Sequence, residues 1–250
     1  MIPWSLIAAL LLAVPMIART RPVLRPAAIT EPQSVLWIAA HPDDEAIAAP
    51  LLAHWCRDNG ARCTFLILTR GDKGGSSSVR SAEAGAASQS FGASLILLTL
   101  PDGGGASPPV WPHDLALTIA RYIDAVHPEL ILTFDPRHGS TCHPDHRAVA
   151  DTVLQAIPLV AFQPSVFLLE TRVVIAPDPL SIRFRPATDA ALRFNADNET
   201  WNAIAADMQQ HRSQFGDALI AAVQSVPHAD RAVFIAPWAE VLRDVVESCP

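Results

Sequence analysis

The chain lacks most of the short signatures that identify a cofactor or a partner on sight. No GxGxxG follows the first strand candidate, so a dinucleotide site is unsupported. The glycine segment Gly71–Gly75 does not keep the GxxxxGK[ST] spacing of a phosphate loop and reads as a plain turn. There is no internal repeat. Basic runs are absent apart from Arg19, Arg21 and Arg25, and the net charge of −7 argues against nucleic acid and other polyanions as partners. The four cysteines, Cys56, Cys63, Cys142 and Cys249, form no CxxC pair. A fold of 250 residues needs no staples, so free thiols are the expectation. Cys142 adjoins His143, but neighbouring side chains of an extended segment point apart, which makes it a poor metal ligand.

What is present begins with apolar residues, which make up 50% of the chain and suffice for a sizeable core. Prolines number 22 and cluster in loops, notably between Pro158 and Pro186, where irregular connections are expected. Residues 2–18 are almost wholly apolar, short for a membrane span and long for a signal-peptide core. No Lys or Arg precedes them and three Arg follow closely, which favours a membrane anchor with the main domain on the cytoplasmic side. Secretion after signal cleavage is the alternative. A start at Met16, leaving a cytoplasmic protein, is a third. The expected organisation is an N-terminal segment 1–19, a linker 20–34 and a single catalytic domain 35–250. Oligomeric state is not legible.

Past the linker, strand and helix patterns alternate. Val35–Ala40, Thr64–Thr69, Leu95–Leu100 and Leu130–Phe134 are near-continuous apolar runs, as parallel strands covered on both faces require. Between them lie helix candidates: Ala46–Asn59 before Gly60, Val79–Phe91 before Gly92, and Leu115–Val126 between Asp114 and Pro128. A fourth runs from about His146 to Ile157. Beyond it come short strands at Val166–Leu169, Val173–Ile175 and Ile182–Phe184, a helix over Thr200–Gln214, a strand at Val233–Ala236 and a helix over Ala239–Glu247. This rhythm predicts an α/β fold: a Rossmann-like, mostly parallel sheet with helices on both faces, whose functional residues gather beyond the carboxyl ends of strands.

Two polar clusters fall at such ends. The first apolar run stops at His41-Pro42-Asp43-Asp44-Glu45. About 100 residues later, past the Leu130–Phe134 run, comes His143-Pro144-Asp145-His146. Taken alone, Asp43 and Asp44 would read as acids complementing a helix N-terminus. The second cluster overrides that reading, because together the two supply nitrogen and oxygen ligands for a divalent metal. His41 and Asp44, three apart, can face one way, and His146 completes a set of two His and one carboxylate with an open position. That is a catalytic zinc pattern, and zinc lowers the pKa of a water to about 7. Asp43 is placed to take that water's proton, His143 to donate to an oxyanion, and Asp145 to orient an imidazole. His54, His113, His127, His138 and His228 are isolated and read as surface or packed residues; His138 lies nearest the second cluster.

At these residues the chain resembles the PIG-L / LmbE-like family of zinc-dependent N-acetylglucosaminyl deacetylases. Ala40–Glu45 (AHPDDE) is similar to the family's first motif and His143–His146 (HPDH) to its second. Weaker similarities are Thr69–Gly74 as the glycine loop, Arg80-x-x-Glu83 with Phe91-Gly92, Asp102-Gly103, and His211-Arg212-Ser213-Gln214, so the resemblance spans about Val35 to Gln214. It implies that His41, Asp44 and His146 bind zinc, with iron(II) as another occupant. It implies Asp43 as general base, His143 as oxyanion donor held by Asp145, and Arg80 and Asp102 as groups binding a sugar or its attachment. Glu45 is expected to support the loop or cap the following helix. Thr141 stands where some members carry a tyrosine, and the chain's single tyrosine, Tyr122, lies in an expected helix, so no tyrosine-assisted oxyanion hole is expected. The implied function is metal-dependent removal of an N-acetyl group from a glucosamine-containing small-molecule conjugate. The alternatives are deacylation of another amide, with a longer acyl chain or on a lipid-linked or glycopeptide sugar, and a sugar-binding relative without catalysis.

Overall fold

A computed structural model describes residues 31–105, 109–188, 191–241 and 249. The apolar N-terminal segment lies outside them. Among the described residues no helix is long and apolar enough to cross a membrane.

Five strands form a parallel array in the order β3-β2-β1-β4-β5: β1 (Ser34–Ala39), β2 (Arg62–Thr69), β3 (Ser94–Leu100), β4 (Leu130–Phe134) and β5 (Ser165–Leu169). Two antiparallel strands, β9 (Ala232–Pro237) and β8 (Leu192–Asn195), extend the sheet beyond β5. All of β1 and β4 is buried, as their unbroken apolar runs demand. Helices cover both faces. On one, α6 (Asn198–Gln210) packs against α1 (Glu45–Leu52) and α2 (Ser77–Ser90); on the other, α3 (Leu115–Val126) packs against α5 (Pro144–Ala156). Trp37 on β1 meets Phe134 on β4 edge to face, with ring centroids 5.3 Å apart, in the centre of the core. Strands β6 (Thr171–Pro177) and β7 (Leu180–Pro186) form a separate two-stranded hairpin.

The expected elements recur with shifted ends. Strand β1 starts at Ser34, one residue before the expected Val35. The first expected helix divides into α1 and a π-helical stretch, Ala53–Asp58; Pro50 inside α1 has no N–H to give the ladder. The late helix ends at Gln210, four residues before the expected Gln214. Strand β8 and helix α7 (Asp217–Gln224) have no counterpart in the sequence pattern. The last expected helix is described only as the short α8 (Trp238–Val241); residues 242–248 lie outside the described ones.

The cysteine expectation is corrected: Cys56 is bonded to Cys63 and Cys142 to Cys249. That a fold can dispense with staples says nothing about whether its cysteines meet. Here their Cα atoms lie 5.7 and 5.6 Å apart, within reach of a bridge.

Candidate active site at the carboxyl ends of β1 and β4

The turn after β1 is tied by one carboxylate oxygen. Asp44 Oδ2 accepts the N–H groups of Ala40 and His41, each at 2.9 Å. This leaves Oδ1 to face two imidazoles, 2.9 Å from His146 Nε2 and 3.6 Å from His41 Nδ1. From β4 the chain passes through the short helix α4 (Gly139–Cys142) to His143, whose Nδ1 accepts the Asp145 N–H at 3.2 Å and so caps α5. His146, in the first turn of α5, donates from Nδ1 to the Gly139 carbonyl at 2.9 Å. A carbonyl only accepts, so Nδ1 carries a proton there, and Nε2 is the ring atom turned to Asp44. On His41, Nε2 lies 3.0 Å from Asp145 Oδ2, which likewise leaves Nδ1 for the cluster. His41, His143 and His146 each bring a ring nitrogen within 4.8 Å of the others.

These groups fit a cation. Asp44, Asp145 and His41 are buried, and Asp44, Asp102 and Asp145 all face one imidazole. Burial pulls the His41 pKa down, but Asp44 and the bonds to Asp102 and Asp145 reverse this and push it up to about 12. Burial likewise lifts Asp44, yet the imidazoles of His146 and His41 hold it well below the usual carboxylate range. Asp102, against the pull of burial, is held low by His41 and by the N–H groups of Gly104 and Lys73. Without a metal, His41 must itself carry the positive charge this carboxylate cage demands. Asp145 Oδ1, buried and without a hydrogen-bond partner, points to the same shortage of positive charge. By contrast, burial and the neighbouring His146 and His41 push His143 down to about 4. It is therefore neutral at pH 7, and with Nδ1 accepting it carries its proton on Nε2.

Asp43 is held in a costly conformation, φ = 104°, a region non-glycine residues avoid. Its own N–H donates to Glu45 Oε2 at 3.3 Å, and Arg80 Nη2 lies 3.1 Å from its Oδ2. Burial first, then the charge on Asp44, push Asp43 up to about 7 against the pull of Arg80. Arg80 also donates to the carbonyls of Gly71 (2.9 Å) and Pro42 (2.5 Å), binding the glycine turn to the first cluster. Gly71 is required there: its φ is 64°, and a Cβ would fall on the Arg80 guanidinium. The late H-x-S-Q element closes the same brace. His211 Nε2 meets Glu45 Oε1, the Ser213 N–H donates to Glu83 Oε1 at 2.8 Å, and Gln214 donates to the Gly74 carbonyl at 3.1 Å.

The structure thus brings His41, Asp43, Asp44, Asp102, His143 and His146 to one cavity of about 380 Å³. Two expectations change. The carboxylate of Asp145 bonds His41 and the Gly103 N–H (2.7 Å) rather than orienting His143; it is the Asp145 backbone that meets His143. Arg80 and Asp102, expected on the sugar, line the cavity but have protein partners, Arg80 on loop carbonyls and Asp43, Asp102 on the Lys73 and Gly104 N–H groups. Glu45 supports the loop, as expected. Lys73 of the glycine loop, Gln214 of the H-x-S-Q element and an apolar wall from β6, β7, α6 and α7 also line the cavity, none of them with a role that the sequence motifs imply. Thr141 lines it too, 3.4 Å from His146 Nδ1. His138 is a packed residue, its Nε2 3.7 Å from Asp135 and 3.9 Å from Glu170, beside Arg137.

The family described as PIG-L, GlcNAc-PI de-N-acetylase, matches residues 36–157. A 1D-myo-inositol 2-acetamido-2-deoxy-alpha-D-glucopyranoside deacetylase from Kineococcus radiotolerans is 28% identical over 170 residues, 53% of this chain and 47% of that protein. The chain spans about half the length of the curated relatives it matches. Among solved structures, N,N'-diacetylchitobiose deacetylase from Pyrococcus horikoshii superposes with a TM-score of 0.66 at 13% identity, over 86% of this chain and 87% of that one. The 4-carboxy-2-hydroxymuconate hydratase GalB of Pseudomonas putida gives 0.61 at 18% identity, over 87% and 99%. A deacetylase and a hydratase on one scaffold show that the likeness establishes the fold, and that the activity must be argued from the site.

Proposed function

Residues 36–157 belong to the PIG-L family, and on that premise we propose that this chain is a metal-dependent hydrolase removing the acetyl group from the 2-amino group of a glucosamine-containing conjugate. The observation that carries the reading is the convergence of His41 Nδ1, Asp44 Oδ1 and His146 Nε2 beside a half-buried carboxylate, Asp43. Those three atoms would hold the ion. Zinc suits such a set, and so does iron(II). When bound, the metal supplies Lewis acidity, lowering the pKa of a water and polarising the amide carbonyl.

The remaining chemistry falls to the chain. Asp43 takes a proton from the attacking water and hands it to the departing amine as the C–N bond breaks, leaving acetate and a free amino sugar. A carboxylate whose pKa is near 7 serves as base and then as acid. His143 donates its Nε2–H to the carbonyl oxygen as that oxygen gains charge. Asp145 acts through His41, holding its ring so that Nδ1 faces Asp44. Asp102 and Lys73 stand at the polar end, where sugar hydroxyls would lie. Arg80 acts through Asp43.

The test is amine release from a panel of N-acetylglucosamine conjugates by protein with a measured metal content. The expected result is one metal ion per chain and stoichiometric amine and acetate. Full metal occupancy with no amine from any conjugate overturns the reading; tight sugar binding under those conditions would favour the non-catalytic alternative.

A further inference from the structure

The cavity is polar only at one end. Away from His41 and Asp43 its wall is built by the β6–β7 hairpin, where Val173 pairs with Phe184 and Ile175 with Ile182. Because side chains alternate along a strand, these four share one face and turn to the cavity, while Arg172, Arg183 and Arg185 share the other. Ile204 and Met208 of α6 and Leu219 and Val223 of α7 add to the same lining. Ile182, Phe184, Ile204, Met208 and Val223 are nearly buried, whereas Ile175 is 51% exposed and marks the mouth. Sugar hydroxyls set against such a wall would lose their hydrogen bonds to water and gain none. A wall of this kind, continuous with the polar end, fits a ligand that is polar where it is cut and apolar beyond.

We propose that this wall is a subsite for an aliphatic chain carried by the substrate, either as its N-acyl group or as its aglycone. The inference rests on the hydrolase reading above and narrows its substrate class. In this reading the hydrophobic contribution of the chain is used to seat the amide against Asp43 and His143.

Two series of substrates separate the sources. One keeps N-acetyl and varies the glycoside from methyl to butyl to hexyl; the other keeps the methyl glycoside and lengthens the N-acyl group from acetyl to butanoyl to hexanoyl. We expect kcat/KM to climb in one series, by about fourfold for each methylene buried, and that series names the source. In Ile175→Gln, a substitution at the exposed mouth, the ratio of hexyl to methyl (or hexanoyl to acetyl) should fall toward one. Turnover of the methyl N-acetyl compound with no gain along either series overturns the subsite and leaves the hydrolase reading standing. If nothing is hydrolysed, the hydrolase reading fails, and calorimetric binding of the hexyl against the methyl glycoside, and of the N-hexanoyl against the N-acetyl compound, still decides the subsite. Tighter binding of the longer chain in either comparison, with a negative heat-capacity change and weakened by Ile175→Gln, supports it; equal affinities in both overturn it.

Discussion

His211 Nε2 lies 2.7 Å from Glu45 Oε1, two buried groups 166 residues apart in the chain. Glu45 turns its other oxygen to the Asp43 N–H, so a histidine that does not line the cavity reaches the backbone of the proposed base through one carboxylate. His211→Ala removes a partner from a buried charge, which costs about 3 kcal/mol, and loosens a residue held at φ = 104°. The expected outcome is a fall in kcat larger than any change in KM, together with a lower denaturation midpoint. His211→Gln keeps a donor at that end and should recover much of the stability. If His211→Ala unfolds at the wild-type midpoint, the contact is not a brace.

One turn before His211, on α6, Asp207 is fully buried and neither carboxylate oxygen has a hydrogen-bond partner. Burial first, then the charges on Glu45 and Asp43, raise its pKa well above the usual value. The folded state thus prefers the protonated acid. As pH climbs from the unfolded pKa near 3.8 toward the higher folded one, the unfolded chain ionises and the folded one resists, so this group costs stability with rising pH. Asp207→Asn, neutral throughout, should melt higher than wild type at pH 8 and gain little at pH 4. A variant less stable at both would mean that Asp207 has a charged partner.

Arg80, with Nη2 3.1 Å from Asp43 Oδ2, lowers the pKa of Asp43. Arg80→Met keeps the length and removes the charge. The acid limb of kcat/KM, which reports deprotonation of the base, should then move to higher pH. Because any bound metal acts on Asp43 in both proteins, the displacement between them isolates Arg80. An unmoved limb would separate Arg80 from the base.

How much of this was legible in the sequence depended on the range of the interactions involved. The unbroken apolar runs of β1 and β4 located both clusters, because a buried parallel strand has one way to end at a polar site. The weak similarities around Arg80, Glu83, Gly71 and His211 were visible as separate pieces. Only the fold shows them as one brace around Asp43. Asp145 is two residues from His143, yet its carboxylate bonds His41, 104 residues away, while its own N–H occupies His143 Nδ1. The alternation of Val173 with Ile175, and of Ile182 with Phe184, marked strands but not which face meets a cavity. Strand β8, of four residues, and helix α7, of eight, are too short for their periods to stand out.

The Cys142–Cys249 bond was illegible for the same reason, a contact across 107 residues, and it adjoins the site. Cys142 ends α4, whose Gly139 carbonyl accepts from His146 Nδ1. Ser140 and Cys142 both adopt φ = 61°, so this segment needs outside support. On chain entropy alone, closing so long a loop is worth about 4.8 kcal/mol, against about 2.5 kcal/mol for the short Cys56–Cys63 loop. Cys142→Ser with Cys249→Ser should therefore lower the denaturation midpoint more than Cys56→Ser with Cys63→Ser. It should also weaken metal retention against a chelator, because His146 loses its fixed partner, while the Cys56–Cys63 pair, remote from the cluster, should leave retention unchanged. Thiol titration of the unfolded, unreduced protein supplies the independent check: no reactive thiol is expected, and four would refute both bonds.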